Sequence, residues 1–459
     1  MSGLDVSPVA EFVTSTATLP AEVATAGRLL LLDTIGALAG GLRYPPVQAL
    51  GRALGTGGHG MVPYGRTVTL GTAATWLDAD SGGSFHPRGD RLPPVPTAHP
   101  APHALPVLLH EAARQQRADA ELVRVFVLAC EVGLRFGVGT SLRPGLHPHG
   151  IHGPIAAAVA ACLLHGHDAA TTARAIELAG AMPMAATLAV PMAGGTVRNL
   201  WTGLGAWYGA SAAVWAASGM PSATEALIDL LGVSVCTELS PDEVTGGLGH
   251  RWRILDSYLK PYACARWVHP SLDAVLLALR RLPGAPARPA DVDRIEVQTF
   301  AFAASLDGVA PTSDLHARFS VPLSVAALLH DGHLHADSYL PDGLARPSLS
   351  ALARRVRLVE DAAFSAALPR QRPARAVVHL HDGTNACAEV RGARGDRSSP
   401  LSVAEVVDKF THNVGDLLPV ELRDPLVRIL SGGTGGEDTV AAAARALLEP
   451  FENVRSTPP

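Results

Sequence analysis

The sequence predicts a mainly α protein in which a large helical domain is interrupted by a smaller α/β domain. Three observations lead there. Up to about residue 260, Ala-rich apolar segments at helical spacing alternate with Gly- and Pro-bearing breaks. After Pro270 the pattern changes to period-two alternation, and from Leu401 helical signals return. With 459 residues, 47% of them hydrophobic and 17% charged, the chain can build two to three domains around a large core.

The elements follow in order. Glu22 to Gly40 carries Val23, Leu29, Leu30, Leu32, Ile35 and Leu38 at helical spacing and is expected to stop at Gly40-Gly41. Ala104 to Arg114, Asp119 to Phe136, Pro154 to His165, Ala169 to Ala181 and Val197 to Ser218 repeat the style. Several are apolar nearly all round, which suits burial in a bundle or a dimer interface. Arg294 to Phe300 alternates as a strand does, and Ala376 to His381 followed by Asp382-Gly383 and Ala386 to Val390 reads as a hairpin. A helix from Pro322 to His330 lies between them. Ser402 and Glu405 form a capping box for the helix from Val403 to Phe410. The expected division is 1–261 helical, 262–397 α/β, and 398–459 helical, rejoining the first part.

Several function classes are excluded at this level. A net charge of −5 without a basic stripe argues against nucleic acid. Five dispersed cysteines without a CxxC pair argue against a disulfide framework or structural zinc, and for a reducing compartment. The N-terminus lacks a signal-peptide pattern. The longest apolar run, Ile155 to Leu164, is about half a membrane span, so a cytoplasmic protein without a membrane partner is expected. GxGxxG after a strand, the P-loop and the GxSxG elbow are all absent.

Three polar islands stand out: Leu77 to Pro87, containing Asp78, Asp80 and His86; Thr97 to Pro100, containing His99; and His147 to His152. Each adjoins an apolar helix, where a loop can line a pocket. Carboxylates beside imidazoles suit proton abstraction and return near neutral pH. The same residues offer enough ligands for zinc or iron, but without HExxH or a comparable motif a metal-dependent hydrolase is only a third reading. Of 37 Lys and Arg residues only two are lysine, Lys260 and Lys409. A lysine that survives such a skew can mark a site where a compact, tunable amine is needed. Lys260, in Tyr258-Leu259-Lys260-Pro261-Tyr262, is a candidate of this kind, whereas Lys409 is read as chance.

Leu30-Leu31-Leu32-Asp33-Thr34-Ile35-Gly36-Ala37-Leu38-Ala39-Gly40 resembles the N-terminal helix of the MmgE/PrpD family, which includes 2-methylcitrate dehydratase, cis-aconitate decarboxylase and iminodisuccinate epimerase. Leu77-Asp78-Ala79-Asp80, His99-Pro100, Cys130-Glu131-Val132, His152-Gly153, Leu259-Lys260-Pro261-Tyr262, Arg318-Phe319-Ser320-Val321-Pro322 and Leu401-Ser402 to Lys409-Phe410 agree in order over about residues 20 to 410. The resemblance implies a helical domain with an inserted α/β lid, a homodimer, no cofactor or metal, and a small carboxylate substrate. It also implies catalytic roles for Asp78, His99, His152 and Lys260. His99 or His152 would be base or acid, Asp78 an orienting group or the base, and Lys260 a cation for a carboxylate or enolate.

The departures from the family pattern fall at the same site. Asp78-Ala79-Asp80-Ser81-Gly82 stands where the family has Asp-Phe-Asp-Asp-Thr, and His86 lies in a longer stretch before His99. Arg198 and Trp201 replace a lysine and a histidine, and Ser320-Val321-Pro322-Leu323 lacks a tyrosine. Asp80, His86, Arg198, Trp201 and Arg266 are therefore expected to bind substrate, with Arg266 as a second carboxylate clamp. The expected activity is dehydration of a small hydroxy carboxylic acid by proton abstraction α to a carboxylate or carbonyl. Decarboxylation, epimerisation and a non-catalytic ligand-binding homologue are the alternatives.

Overall fold

A computed structural model describes residues 3–55, 65–85, 95–96, 98–184, 186–283, 288–368, 370–433 and 438–451. The chain is about 60% helical and 10% strand, so the mainly α class holds. Helix Ala21–Leu42 runs through the larger core, and every residue from Leu30 to Leu42 is buried. By length and composition it could cross a membrane, which the sequence reading missed, yet 72% of its apolar window is buried inside the protein. Gly40 and Gly41 do not stop it. A Cβ at Gly41 would lie 2.0 Å from the carbonyl oxygen of Ala73, so glycine is used for close approach to helix Gly65–Trp76 rather than for termination. Gly203 serves the same purpose on helix Val197–Ala217, where a Cβ would come within 2.2 Å of the Val68 oxygen.

The other expected helices form close to their predicted bounds: Ala101–Arg114, Asp119–Val138, Gly153–His165 and Ala169–Gly180. Helix Val403–Val414 has the expected capping box, with the Ser402 Oγ accepting from the Glu405 N–H and the Glu405 carboxylate from the Ser402 N–H. Its Val406 and Phe410, with Val440 and Leu447 further on, join the same core as residues near the N-terminus.

A second core begins at Tyr262 and runs to Ala388. It centres on a four-stranded sheet in the order Val356–Glu360, Val292–Thr299, Ala374–Leu380, Asn385–Val390. The first pair is parallel and the others are antiparallel. The hairpin pairs His379 with Asn385, and its turn places Gly383 at φ +88°. Helices His269–Arg280 and Val321–Asp331 contribute to this core.

One small sheet positions the site. Strand Gly82–Phe85 pairs with Ser257–Tyr258, setting Gly82 opposite Tyr258. That register carries Lys260, two residues on, against the turn that precedes Gly82.

Candidate active site

After helix Gly65–Trp76 the chain turns at Asp78, which adopts φ +49° and is the only non-glycine residue with positive φ among those described. Aspartate tolerates this left-handed region better than most residues. From the last turn of that helix onward the carbonyls lose their intrahelical partners and need others. Five side chains from separate parts of the chain supply them. Arg198 Nη1 donates to the Thr75 oxygen at 2.6 Å and Arg318 Nη1 to Leu77 at 3.1 Å. Lys260 Nζ donates to Asp78 at 2.7 Å, Lys409 Nζ to Ala79 at 2.9 Å, and His99 Nδ1 to Ser81 at 2.8 Å. The 75–81 stretch, from the end of the helix through the turn, is thus held in place by charged and ring donors.

Two carboxylates project from this stretch. Asp78 Oδ1 accepts from Lys260 Nζ at 2.6 Å and from Arg198 Nη2 at 2.7 Å. Asp80 Oδ2 lies 2.8 Å from His99 Nδ1 and 3.3 Å from His149 Nε2, and its Oδ1 lies 3.5 Å from Arg198. Asp80 is fully buried. Burial pushes its pKa up, but the Lys260 charge, the bonds from His149 and His99, and the Arg198 charge outweigh burial and hold the carboxyl well below its usual range. Burial in turn pulls the Lys260 ammonium down, and Asp78 and Asp80 together more than reverse this, so the lysine stays charged.

The hydrogen bonds at His99 decide its tautomer. Nδ1 faces two acceptors, the Asp80 carboxylate and the Ser81 carbonyl, both at 2.8 Å, so the proton resides on Nδ1. The Nε2 lone pair is then left to act as a base. His99 is the one partly exposed member of the group, at 11% of its side chain. Its ring meets Tyr258 edge-on at 6.2 Å. His149 is held well below the usual imidazole range by burial and by the Arg198 charge, and is therefore neutral. Its Nδ1 lies 3.2 Å from the Thr202 hydroxyl.

The expected residues fare differently. Asp78, Asp80, His99, Arg198 and Lys260 come together. His152 does not join them: its Nε2 bonds the Thr140 hydroxyl at 2.7 Å, and burial holds its pKa down at about 4. The turn before helix Gly153–His165 aims His149 at Asp80 instead and carries His152 to the end of helix Asp119–Val138. Trp201 is half-buried, 5.8 Å from the His147 ring, which in turn lies 4.5 Å from His149, so it lines the outer side of the histidine cluster. Arg266 is not a free clamp. It pairs with Asp396 at 2.8 Å, donates to the Arg394 oxygen at 2.8 Å, and covers the Tyr258 ring at 4.7 Å. His86 lies outside the described residues.

Lys409 is not a chance survivor either. It is buried and pairs with Asp33 at 2.6 Å while bonding the Ala79 carbonyl. A sequence signal for it existed: Asp33 is a lone charge inside an apolar helical run and needs a buried cation. His149 and Tyr258 were also missed. Tyr258 could have been found from the period-two spacing that puts it on the same side of an extended segment as Lys260.

His99, Asp80 and His149 place their donor atoms within 4.8 Å of one another, a set a metal could use. The same carboxylate already faces Arg198 and the Lys260 charge, and two fixed cations oppose a third.

Comparison with known proteins accords with this arrangement. The MmgE/PrpD N-terminal domain matches residues 8–236 and the MmgE/PrpD C-terminal domain matches residues 262–428. No curated protein matches the chain in sequence. The two matches cover the 75–81 stretch and nearly every side chain that holds it, and the family is typically hydro-lyase- or dehydratase-like. With both of its domains matched in order, the chain belongs to the MmgE/PrpD family.

Proposed function

We propose that the protein is a cofactor-independent lyase that dehydrates a small hydroxy carboxylic acid. The observation that carries this reading is the His99 Nδ1 bond to the Ser81 carbonyl beside the Asp80 carboxylate, which leaves Nε2 as a base in a site that also holds a buried, charged lysine. His99 Nε2 takes the proton α to the substrate carboxylate, and the Asp80 carboxylate stabilises the imidazolium that forms. Lys260 has one N–H left after bonding the Asp78 carbonyl and carboxylate, and this N–H with its charge stabilises the enolate-like intermediate. The carbon–carbon double bond forms as the C–OH bond breaks, and the His99 imidazolium returns its proton to the departing hydroxide as water.

Decarboxylation and epimerisation would pass through the same carbanion, so the products distinguish them. A homodimer is part of the proposal. Val197, Leu204 and Val214 are 44, 41 and 39% exposed on one side of helix Val197–Ala217, an apolar face suited to a second copy. Five free cysteines, four of them buried, fit the reducing compartment expected from the sequence.

The test is incubation with a panel of 3-hydroxy acids in deuterated water, followed by NMR. A lyase of this kind exchanges the α-proton and releases an unsaturated acid. A ligand that binds saturably without exchange or turnover would instead identify a non-catalytic homologue.

A further inference from the structure

A second histidine cluster lies outside the candidate active site. Asp408 and His412 are four residues apart on one face of helix Val403–Val414, while the adjacent face carries Lys409 to Asp33 and Asn413 to the Ala336 N–H. The segment after helix Val321–Asp331 brings His333 and His335 against them. The His333 and His335 rings stack at 5.0 Å, and each lies 4.8 Å from the His412 ring. The Asp408 carboxylate sits 3.4 Å from His412 Nδ1 and 3.9 Å from His335 Nε2.

Three imidazoles packed around one carboxylate that is itself 65% exposed are a poor choice for stability alone. The Nδ1 atoms of both His333 and His335 are buried without a hydrogen-bond partner, and His335 is only 6% exposed. Donor atoms of His335, Asp408 and His412 already lie within 4.8 Å of one another. Tetrahedral zinc with bonds of about 2.1 Å spaces its ligands at about 3.4 Å, so a closure of roughly 1 Å completes the site. Asp408 and His412 are 65 and 39% exposed, and His412 Nδ1 bonds the Asp408 backbone carbonyl at 2.9 Å. The nearby Lys409 charge would oppose a cation, but Asp33 at 2.6 Å neutralises it. Asp337, 3.9 Å from His333, adds a second negative charge.

We propose that His335, Asp408 and His412 bind one divalent transition-metal ion, with zinc the best match to two imidazoles and one carboxylate. Oxygen-seeking magnesium and calcium are excluded by the same donor set. The bound ion would pin the segment of the second core that carries His333 and His335 to the helix whose Lys409 holds the Ala79 carbonyl of the candidate active site. Its role is therefore to brace the two cores against each other.

The experiment uses the full-length, tag-free chain stripped with a chelator and titrated with zinc chloride, then with cobalt(II) for its visible d–d absorption. One saturable equivalent is expected, with a tetrahedral cobalt spectrum and a raised melting temperature. His412→Asn and Asp408→Asn alter exposed side chains and should fold normally. Each should weaken binding by about 100-fold or more, since even outer-shell changes cost 10–100-fold. His99→Asn should leave the cobalt spectrum unchanged. Absence of saturable binding, binding that survives the His412→Asn change, or a cobalt spectrum lost in His99→Asn would each overturn the proposal.

Discussion

Replacing Asp80 by Asn separates two things the carboxylate does for His99. It is a second oxygen 2.8 Å from Nδ1, beside the Ser81 carbonyl, and it is the charge that faces the ring. The Ser81 carbonyl, at 2.8 Å, still accepts from Nδ1 in the variant, so the tautomer survives. What disappears is the attraction between the carboxylate and the imidazolium formed in the reaction. At about 4 Å between charge centres and an effective dielectric constant of about 20, that attraction is about 4 kcal/mol. This corresponds to a rate loss of about 10³-fold, compared with the ~10⁴-fold seen where a lone carboxylate also sets the tautomer. The assay is the rate of α-proton exchange in deuterated water, read alongside circular dichroism. The fold check matters because Arg198 and the Lys260 charge lose a counterion while Asp78 keeps both contacts. Exchange within threefold of the unaltered protein would refute the reasoning that Asp80 assists His99.

Four further outcomes follow from the same geometry. Lys260→Arg should retain the fold but lose about 10²-fold or more in activity, because Arg198 already occupies the same Asp78 oxygen and a second guanidinium cannot reproduce the ammonium contacts; a fully active variant would remove the role given to this lysine. Lys409→Met leaves Asp33 and the Ala79 carbonyl unpartnered and should cost about 3–5 kcal/mol in urea unfolding, with Asp33→Asn recovering part of it in the double variant. Gly203→Ala forces a Cβ to 2.2 Å from the Val68 oxygen and should destabilise by about 1–3 kcal/mol, visible as a lowered melting temperature. His103 and His152 have folded pKa values of about 4 against 6.5 unfolded, so the unfolded chain binds more protons below about pH 6.5. Each should then remove about 2 kcal/mol of stability between pH 7 and 5, and a urea midpoint that stays constant over that interval would contradict their burial as neutral rings.

Most of the helical content was legible because apolar residues recur at helical spacing and Ser402-x-x-Glu405 marks a start by local chemistry. The hairpin was legible for a similar reason, with period-two alternation on either side of Asp382-Gly383. Gly40-Gly41 misled because a glycine that ends a helix and one that admits a neighbouring backbone look alike in one dimension. At the site, the polar islands and Lys260 were visible as residues that an apolar, Arg-coded chain would not otherwise retain. The choice between His149 and His152 was not, because it depends on which way a six-residue turn points each ring.

The sequence alone therefore determined what is local or compositional: helix positions, the second core's strand pattern, and the polar residues that had to meet a partner. The tertiary structure decided which partners they met. Lys260 and Lys409 lie 149 positions apart, yet bond the neighbouring carbonyls of Asp78 and Ala79. That convergence arises because a turn leaving helical geometry exposes successive carbonyls, and only folding can bring distant cations to them.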